Sequence, residues 1–320
     1  MLLTIPNMQV FVTVCSSIGL LLNITMATVI VLCSGSGIGN YKYLLCAYTM
    51  VAIGSCSIEI VLLPMFHPTE AGWLYFSTVD RLPPSFGNIL ILVYCASFAI
   101  LMQILSLSFF YRYIVICRPP SMNFWHKTST ILTVMVFMFI CTVFCGSQTY
   151  AVFPNMYTMQ ELDGVVYTST GIHLREYAHI GGYLYNGETW WTAGTFAIIG
   201  YIVVMFVNMT VIIYCLLKIL IFFQKSAELR MPNSIRAVQK RFVLLLLLQT
   251  LVPIIFTFSP VLISYLITFL SLSLPLEAHI FYSCFHPIAQ LLEPIIIITL
   301  LKEYRIAVKR ALRLKISSSQ

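Results

Sequence analysis

Seven runs of more than twenty mostly apolar residues, each almost free of charge, leave this chain few ways to fold. They lie at about 8–33, 43–66, 88–117, 129–153, 192–223, 242–272 and 279–301. A helix of about 20 apolar residues crosses the hydrocarbon of a bilayer. Helices also pair their own backbone polar groups, which lipid cannot do for them. Glu59 and Glu293 are the only acids inside the seven runs. The expected fold is therefore an all-α membrane protein, a seven-transmembrane helix bundle forming one domain over 1–320.

Composition agrees. Charged residues make up 9% of the chain, against about 25% in a soluble domain. The formal net charge is +7, but the basic residues fall between the apolar runs. They read as contacts to anionic lipid headgroups rather than to nucleic acid. The ten cysteines lie in or beside apolar runs, where they act as small hydrophobes; no disulfide framework or metal spacing is expected. The first Lys or Arg is Lys42, so a basic leader is missing and the first run is expected to stay as a span.

Orientation follows from where the cations fall. With the N-terminus outside, sixteen of the eighteen Lys and Arg lie on the inner side, and only Arg81 and Arg175 lie outside. After the seventh run, Leu301, Tyr304, Val308 and Leu312 recur at helical spacing among basic residues. That pattern describes a basic amphipathic helix on the inner leaflet, followed by a short tail, over 302–320. Sequons at Asn23 and Asn208 fall inside spans and read as accidents of pattern.

The longest outer loop, 154–191, carries Tyr157, Tyr167, Tyr177, Tyr183 and Tyr185 and the pair Gly181-Gly182. It reads either as an ordered cover over the bundle or as an aromatic belt among headgroups.

The third run ends FFYRYIVICRPP, 109–120. An arginine there is expected at the hydrocarbon boundary, its stem snorkelling to the headgroups. The alternative reading is a switch at the cytosolic foot of the bundle. Enzyme chemistry finds no support: paired acids, a phosphate loop and H-E-x-x-H are all missing. No cofactor or metal is expected.

The chain resembles the nematode seven-transmembrane chemoreceptors, specifically the str-like (class r) serpentine receptors. The resemblance is carried by IGNYKYLL at 38–45, FFYRYIVICRPP at 109–120, QKRFVLLLLLQTLVPIIFTFSPV at 239–261 and LLEPIIIITLLKEYR at 291–305. It implies an odorant-type receptor in the plasma membrane of sensory neuron cilia. Its partners would be a small external molecule, membrane lipids and a heterotrimeric G protein. Rhodopsin-type receptors differ. Tyr111-Arg112-Tyr113 lacks the acid before the arginine, and Glu293-Pro294 replaces Asn-Pro-x-x-Tyr. No outer-loop cysteine exists to bridge to the third span. The str-like receptors share these departures.

Within this reading the ligand is expected in the outer half, against Cys95, Phe98, Met102 and Gln103 of the third span and Tyr282, His286 and Gln290 of the seventh. His286 alone also reads as a packing residue. Glu59 is either a membrane-edge acid facing a loop or a wall of the pocket. Glu293 lies nine residues before Lys302, about 13 Å inside the inner boundary. An acid at that depth is functional by default. It is expected either in an activation switch with Gln249 and Arg112 or in a static interhelical hydrogen bond, while Pro294 can kink its helix and Pro253 and Pro260 break the sixth. Arg118, Arg236, Lys240 and Arg241 are the expected G-protein contacts. A ligand-gated channel or small-molecule transporter is the competing class. Sparse polar residues in the spans and the lack of an internal repeat weigh against it.

Overall fold

The computed structural model describes residues 4–33, 41–69, 72–80, 82–117, 144, 152, 154, 156–184, 192–227, 233–272, 274–301 and 304–308. The expected fourth span, 129–153, lies outside the described residues except for Phe144 and Val152, and Arg118 lies outside them too. Six helical segments among the described residues are long and apolar enough to cross a membrane. Their outward faces are hydrophobic: Val10, Leu21, Val31 and Leu32 are each at least 65% exposed. Such surface belongs in lipid.

The first three spans are α1 (Ile5–Cys33), α2 (Tyr41–Leu62) and α3 (Pro84–Cys117). Their scattered hydroxyls and amides are satisfied within the helix. Thr13, Asn23, Thr49 and Ser108 each donate to the carbonyl four residues earlier, at 2.7–2.8 Å. This back-bonding lets a polar residue sit in hydrocarbon without an orphan donor.

α2 stops four residues short of the expected end at Phe66. Leu63 takes a left-handed φ of 42° and Pro64 follows. Ser77 then donates to the Leu62 carbonyl and Thr78 to the Leu63 carbonyl, each at 2.7 Å. These side chains cap carbonyls that the helix end leaves open. The apolar residues beyond Leu63 extend the hydrophobic run, but they form a strand.

That strand, β1 (Pro64–Pro68), pairs antiparallel with β2 (Gly72–Ser77), which pairs antiparallel with β3 (His179–Tyr183). The three-stranded sheet lies across one end of the bundle, called the outer end after the charge asymmetry. Between β2 and β3 comes α4 (Met156–Thr170), whose Leu162 and Val166 pack on Met65, Leu74, Phe76 and Ile280. The described part of the long loop is thus an ordered cover. Gly181-Gly182 has a packing reason. A Cβ on Gly181 would come within 2.7 Å of the Trp73 carbonyl, and one on Gly182 within 2.6 Å of Gly194 Cα.

The fifth span is α5 (Ala193–Ala227). The sixth is built in pieces: α6 (Asn233–Pro253), a π turn (Ile254–Phe258) and α7 (Ser259–Phe269). Pro253 and Pro260 bracket the π turn. Each lacks an N–H for the carbonyl four residues earlier, so the break predicted from these prolines becomes a wide turn between them. The seventh span divides into α8 (Leu276–Ser283) and α9 (Phe285–Leu300). The interruption falls at Cys284, just before Pro287 and well upstream of Pro294, through which α9 runs unbroken. Pro294 acts differently, by leaving the Gln290 carbonyl without its helical donor. Asn23, buried in α1, fills that gap at 3.3 Å.

Residues 304–308 are helical. Tyr304 is fully buried against Met26, Leu45 and Ile297, with Leu301 and Val308 packed alongside. Leu301, Tyr304 and Val308 of the expected apolar stripe therefore dock on the foot of the first, second and seventh spans, while Leu312 and the rest of the expected helix, 302–303 and 309–320, lie outside the described residues.

Candidate functional site

A cavity of about 140 Å3 lies beneath the sheet. Phe66, Trp73, Tyr75 and Ile180 form its roof. Tyr94, Cys95 and Phe98 line it from α3, and Tyr201 and Met205 from α5. Pro260, Ser264 and Tyr265 line it from α7, and Tyr282 and His286 from the seventh span. Of the expected ligand residues, Cys95, Phe98, Tyr282 and His286 meet here. Met102, Gln103 and Gln290 do not reach its wall: Met102 packs lower, against Met205 and Phe258. Both polar atoms of the Gln103 amide are buried without a partner.

Most of this lining is aromatic, and the roof is tied to the bundle through ring contacts. Phe66 meets Tyr265 edge-on at 5.7 Å, and Tyr75 stacks on Tyr94 at 6.1 Å. An apolar cavity of about 150 Å3 accepts a benzene ring, so this one suits a compact molecule of that order. Sequence reasoning offered the long loop, which holds Ile180, as a cover but missed Phe66, Trp73 and Tyr75, because Phe66 reads as the end of the second span and the other two sit in the loop after it.

The base of the cavity is polar. Glu59 is 1% exposed. Ser16 and Tyr94 each donate a hydroxyl hydrogen to its carboxylate at 2.7 Å, and His286 Nδ1 lies 3.0 Å from it. Three elements therefore converge on an acid carried by a fourth, because an isolated carboxylate in hydrocarbon is costly and gathers partners. Glu59 is not a membrane-edge acid facing a loop but part of the pocket wall. His286 is not an isolated packing residue but Glu59's partner.

From this base a polar row runs inward along the seventh span. His286, Gln290 and Glu293 stand at i, i+4 and i+7, on one helix face. Gln290 donates to Ser55 at 3.0 Å and accepts from the Cys56 thiol. Glu293 is 4% exposed, with Tyr48 in hydrogen-bonding reach and Arg112 as the charge beside it.

Arg112 turns into the bundle rather than out to the headgroups. It is 5% exposed. Nη1 donates to Gln249 Oε1 at 2.6 Å, and Nη2 donates to the Tyr41 hydroxyl. The guanidinium lies 4.4 Å from the centre of the Tyr41 ring, with Phe109 and Phe242 further out. The snorkelling expectation fails because Tyr41, on the neighbouring span, and Gln249, on the sixth, offer acceptors and aromatic faces at that depth. Gln249 thus engages Arg112, and Tyr48 takes the place expected for it beside Glu293. Lys240 and Arg241 are exposed at the inner end of α6. Arg236 is on the same helix, but its side chain is outside the described residues.

This arrangement, a roofed cavity linked by polar residues to the opposite end of a helical bundle, is that of a transmembrane receptor. The chain matches the family described as serpentine type 7TM GPCR chemoreceptor Str over residues 8–309, and it belongs to that family. It is 24% identical over 287 residues to serpentine receptor class r-10 of Caenorhabditis elegans, covering 85% of this chain and 81% of that one. It is 25% identical over 289 residues to serpentine receptor class r-10 of Caenorhabditis briggsae, covering 85% and 80%. It is also 24% identical over 282 residues to G-protein coupled receptor str-33 of Caenorhabditis elegans, covering 84% and 80%. The protein is thus an integral membrane chemoreceptor of a receptor family, not an enzyme class.

Proposed function

We propose that this chain is an odorant-type receptor which holds a compact, largely apolar external molecule in the cavity under the sheet and activates a heterotrimeric G protein at its inner end. It works from the plasma membrane, in sensory neuron cilia, with the N-terminus outside. The observation that carries this reading is the polar row from Glu59–His286 at the cavity base, through Gln290, to Glu293 and Arg112. A ligand pressing on the cavity base changes what His286 can contact. Gln290 and Glu293 share its helix face, so the effect reaches the hydrogen bonds that hold Arg112 to Gln249 and Tyr41. Release of Arg112 frees α6 from α3. The π turn between Pro253 and Pro260 gives the lower half of the sixth span room to move, which uncovers a surface near Lys240 and Arg241. The ligand acts by favouring that second state. The name of one relative, G-protein coupled receptor str-33, supports the coupling partner.

The test is a screen of volatile and water-soluble chemicals on cells expressing the receptor, read by second messenger. An agonist should be found whose response is lost in His286→Phe at matched surface level and blocked when the G protein is removed. A ligand-evoked whole-cell current that survives G-protein removal would instead make the protein a channel.

A further inference from the structure

We infer that the ligand reaches the cavity sideways from the bilayer, through an apolar crevice between the fifth and sixth spans that Met205 closes. The inference rests on the reading of the cavity as the ligand site. The crevice is a separate hollow of about 450 Å3. Ile202, Phe206 and Ile213 form its wall on α5, and Ile254, Phe258 and Leu262 its wall on the sixth span. It opens beside the π turn Ile254–Phe258. A π turn is a local bulge in a helix, and a bulge cannot keep close ridge-into-groove contact with a straight neighbour.

Both walls belong to membrane spans. Phe206 is 57% exposed and Ile255, within the π turn, 48%, so the mouth faces hydrocarbon. Water has little to hold it there. The Thr210 hydroxyl is bonded to the Phe206 carbonyl at 2.8 Å, which leaves Ser259 as the other polar side chain on the wall. The occupant is therefore an apolar solute of the bilayer.

The crevice and the cavity are separated by about one side chain. Met205 lines both and is itself 7% exposed, packed with Met102 and Phe258. The residues on either side alternate between the two hollows. Tyr201 faces the cavity and Ile202 the crevice, while Ser259 faces the crevice and Pro260 the cavity. Methionine, unbranched with three rotatable bonds, can swing aside without moving backbone. The outer route is harder. Trp73 and Ile180 of the roof are 4% and 1% exposed. β3 is held by the Asn88 side chain, which accepts from the His179 N–H at 2.8 Å. Opening the roof breaks sheet contacts, whereas opening the crevice turns one thioether. Partitioning favours the same path, since each methylene enriches a solute in hydrocarbon about four-fold.

The test uses a phenyldiazirine dissolved in membranes that carry the full-length receptor, with sites of photolabelling mapped over time. Because it needs neither agonist nor G protein, its outcome is independent of whether the screen above succeeds. Label should appear first on Phe206 and Ile213, then on Phe98 and Tyr265 in the cavity. Filling the crevice with Thr210→Trp, or from the other wall with Leu262→Trp, should slow cavity labelling at least ten-fold at unchanged surface level. Either variant suffices if the other fails to reach the surface. If neither does, Met205→Ala decides alone, by speeding cavity labelling. Cavity labelling at the wild-type rate in the filled variants would overturn the route. So would a crevice that is labelled while the cavity stays blank in both wild type and Met205→Ala, a result that would make it a resting place for acyl chains only.

Discussion

At the scale of single residues, the Arg112 guanidinium is a buried cation among the described spans, and its partners set what each substitution does. A hydrogen bond to a charged group contributes about 1.5–3 kcal/mol, so removing the Gln249 acceptor loosens the contact between α3 and the sixth span by that order. Gln249→Leu is expected to raise ligand-independent signalling roughly ten-fold at matched surface level. Basal second messenger normalised to surface tag measures this, and an unchanged or lowered basal level would contradict the switch. Glu293→Gln keeps the shape of the side chain but removes its titratable carboxyl beside Arg112 and Tyr48. It should still reach the surface, with an altered agonist response. Normal expression together with an unaltered dose–response curve would leave Glu293 only a static role. The depth of Glu293 and the presence of Arg112 were legible in the sequence. Gln249 was legible too, from its matching depth, though beside Glu293 rather than on Arg112. Tyr41 and Tyr48 were not, because they are separated from their partners by tens to hundreds of positions.

At the scale of elements, the sheet over the cavity depends on close backbone approach. Any side chain on Gly194 would run into the Tyr183 carbonyl and come within 2.9 Å of Gly182 Cα. Both are backbone that cannot swing away. Gly194→Val should therefore reduce receptor at the surface several-fold, as counted by flow cytometry of an outer tag, whereas alanine at Gly164, where nothing lies near, should be silent. The sheet also carries a pH dependence. Burial, with His279 4.2 Å away ring to ring, pushes His67 down to about 3. Burial lowers His179 as well. Both histidines are neutral in the closed sheet. Once the sheet opens they titrate near 6.5, so the open form takes up protons that the closed form cannot. Closure therefore weakens as pH falls below about 6.5 towards 3. Protection of the amides over 64–77, measured against the intrinsic exchange rate at each pH, should be lower at pH 5 than at pH 7.5, and His67→Phe should reduce that difference, leaving a remainder from His179. Equal protection at both pH values in the wild type would contradict this assignment.

At the scale of the whole molecule, the charge asymmetry makes a claim that the bundle's geometry does not: the N-terminus and the sheet face outward and the C-terminus faces the cytosol. Epitope tags at the two ends of intact cells should stain without permeabilisation at the N-terminus only. Staining of both ends from the same side would overturn the orientation, and with it the assignment of an external ligand and an internal partner. The packing of Tyr304 under Met26 and Leu45 adds a mechanical link. The segment after the seventh span is anchored to the first span and to the second, which holds both Glu59 and Tyr41. Tyr304→Ala empties a fully buried site, and a cavity that large should lower surface expression measurably.

The sequence by itself determined the medium and the class. Runs of apolar residues are local, and their lengths against a bilayer's thickness decide that helices span it. The sidedness of lysine and arginine decides the expected orientation, and four short stretches identify the family. Tertiary structure alone decided what those helices enclose. The end of α2, the strand from Pro64 and the roof it builds depend on caps supplied by Ser77 and Thr78 and on pairing with a segment a hundred residues away. The burial of Arg112, the four-element cluster on Glu59 and the gap beside the π turn are likewise relations between helices. A buried charge takes its meaning from partners brought to it by folding, and no local pattern of residues records which partners those will be.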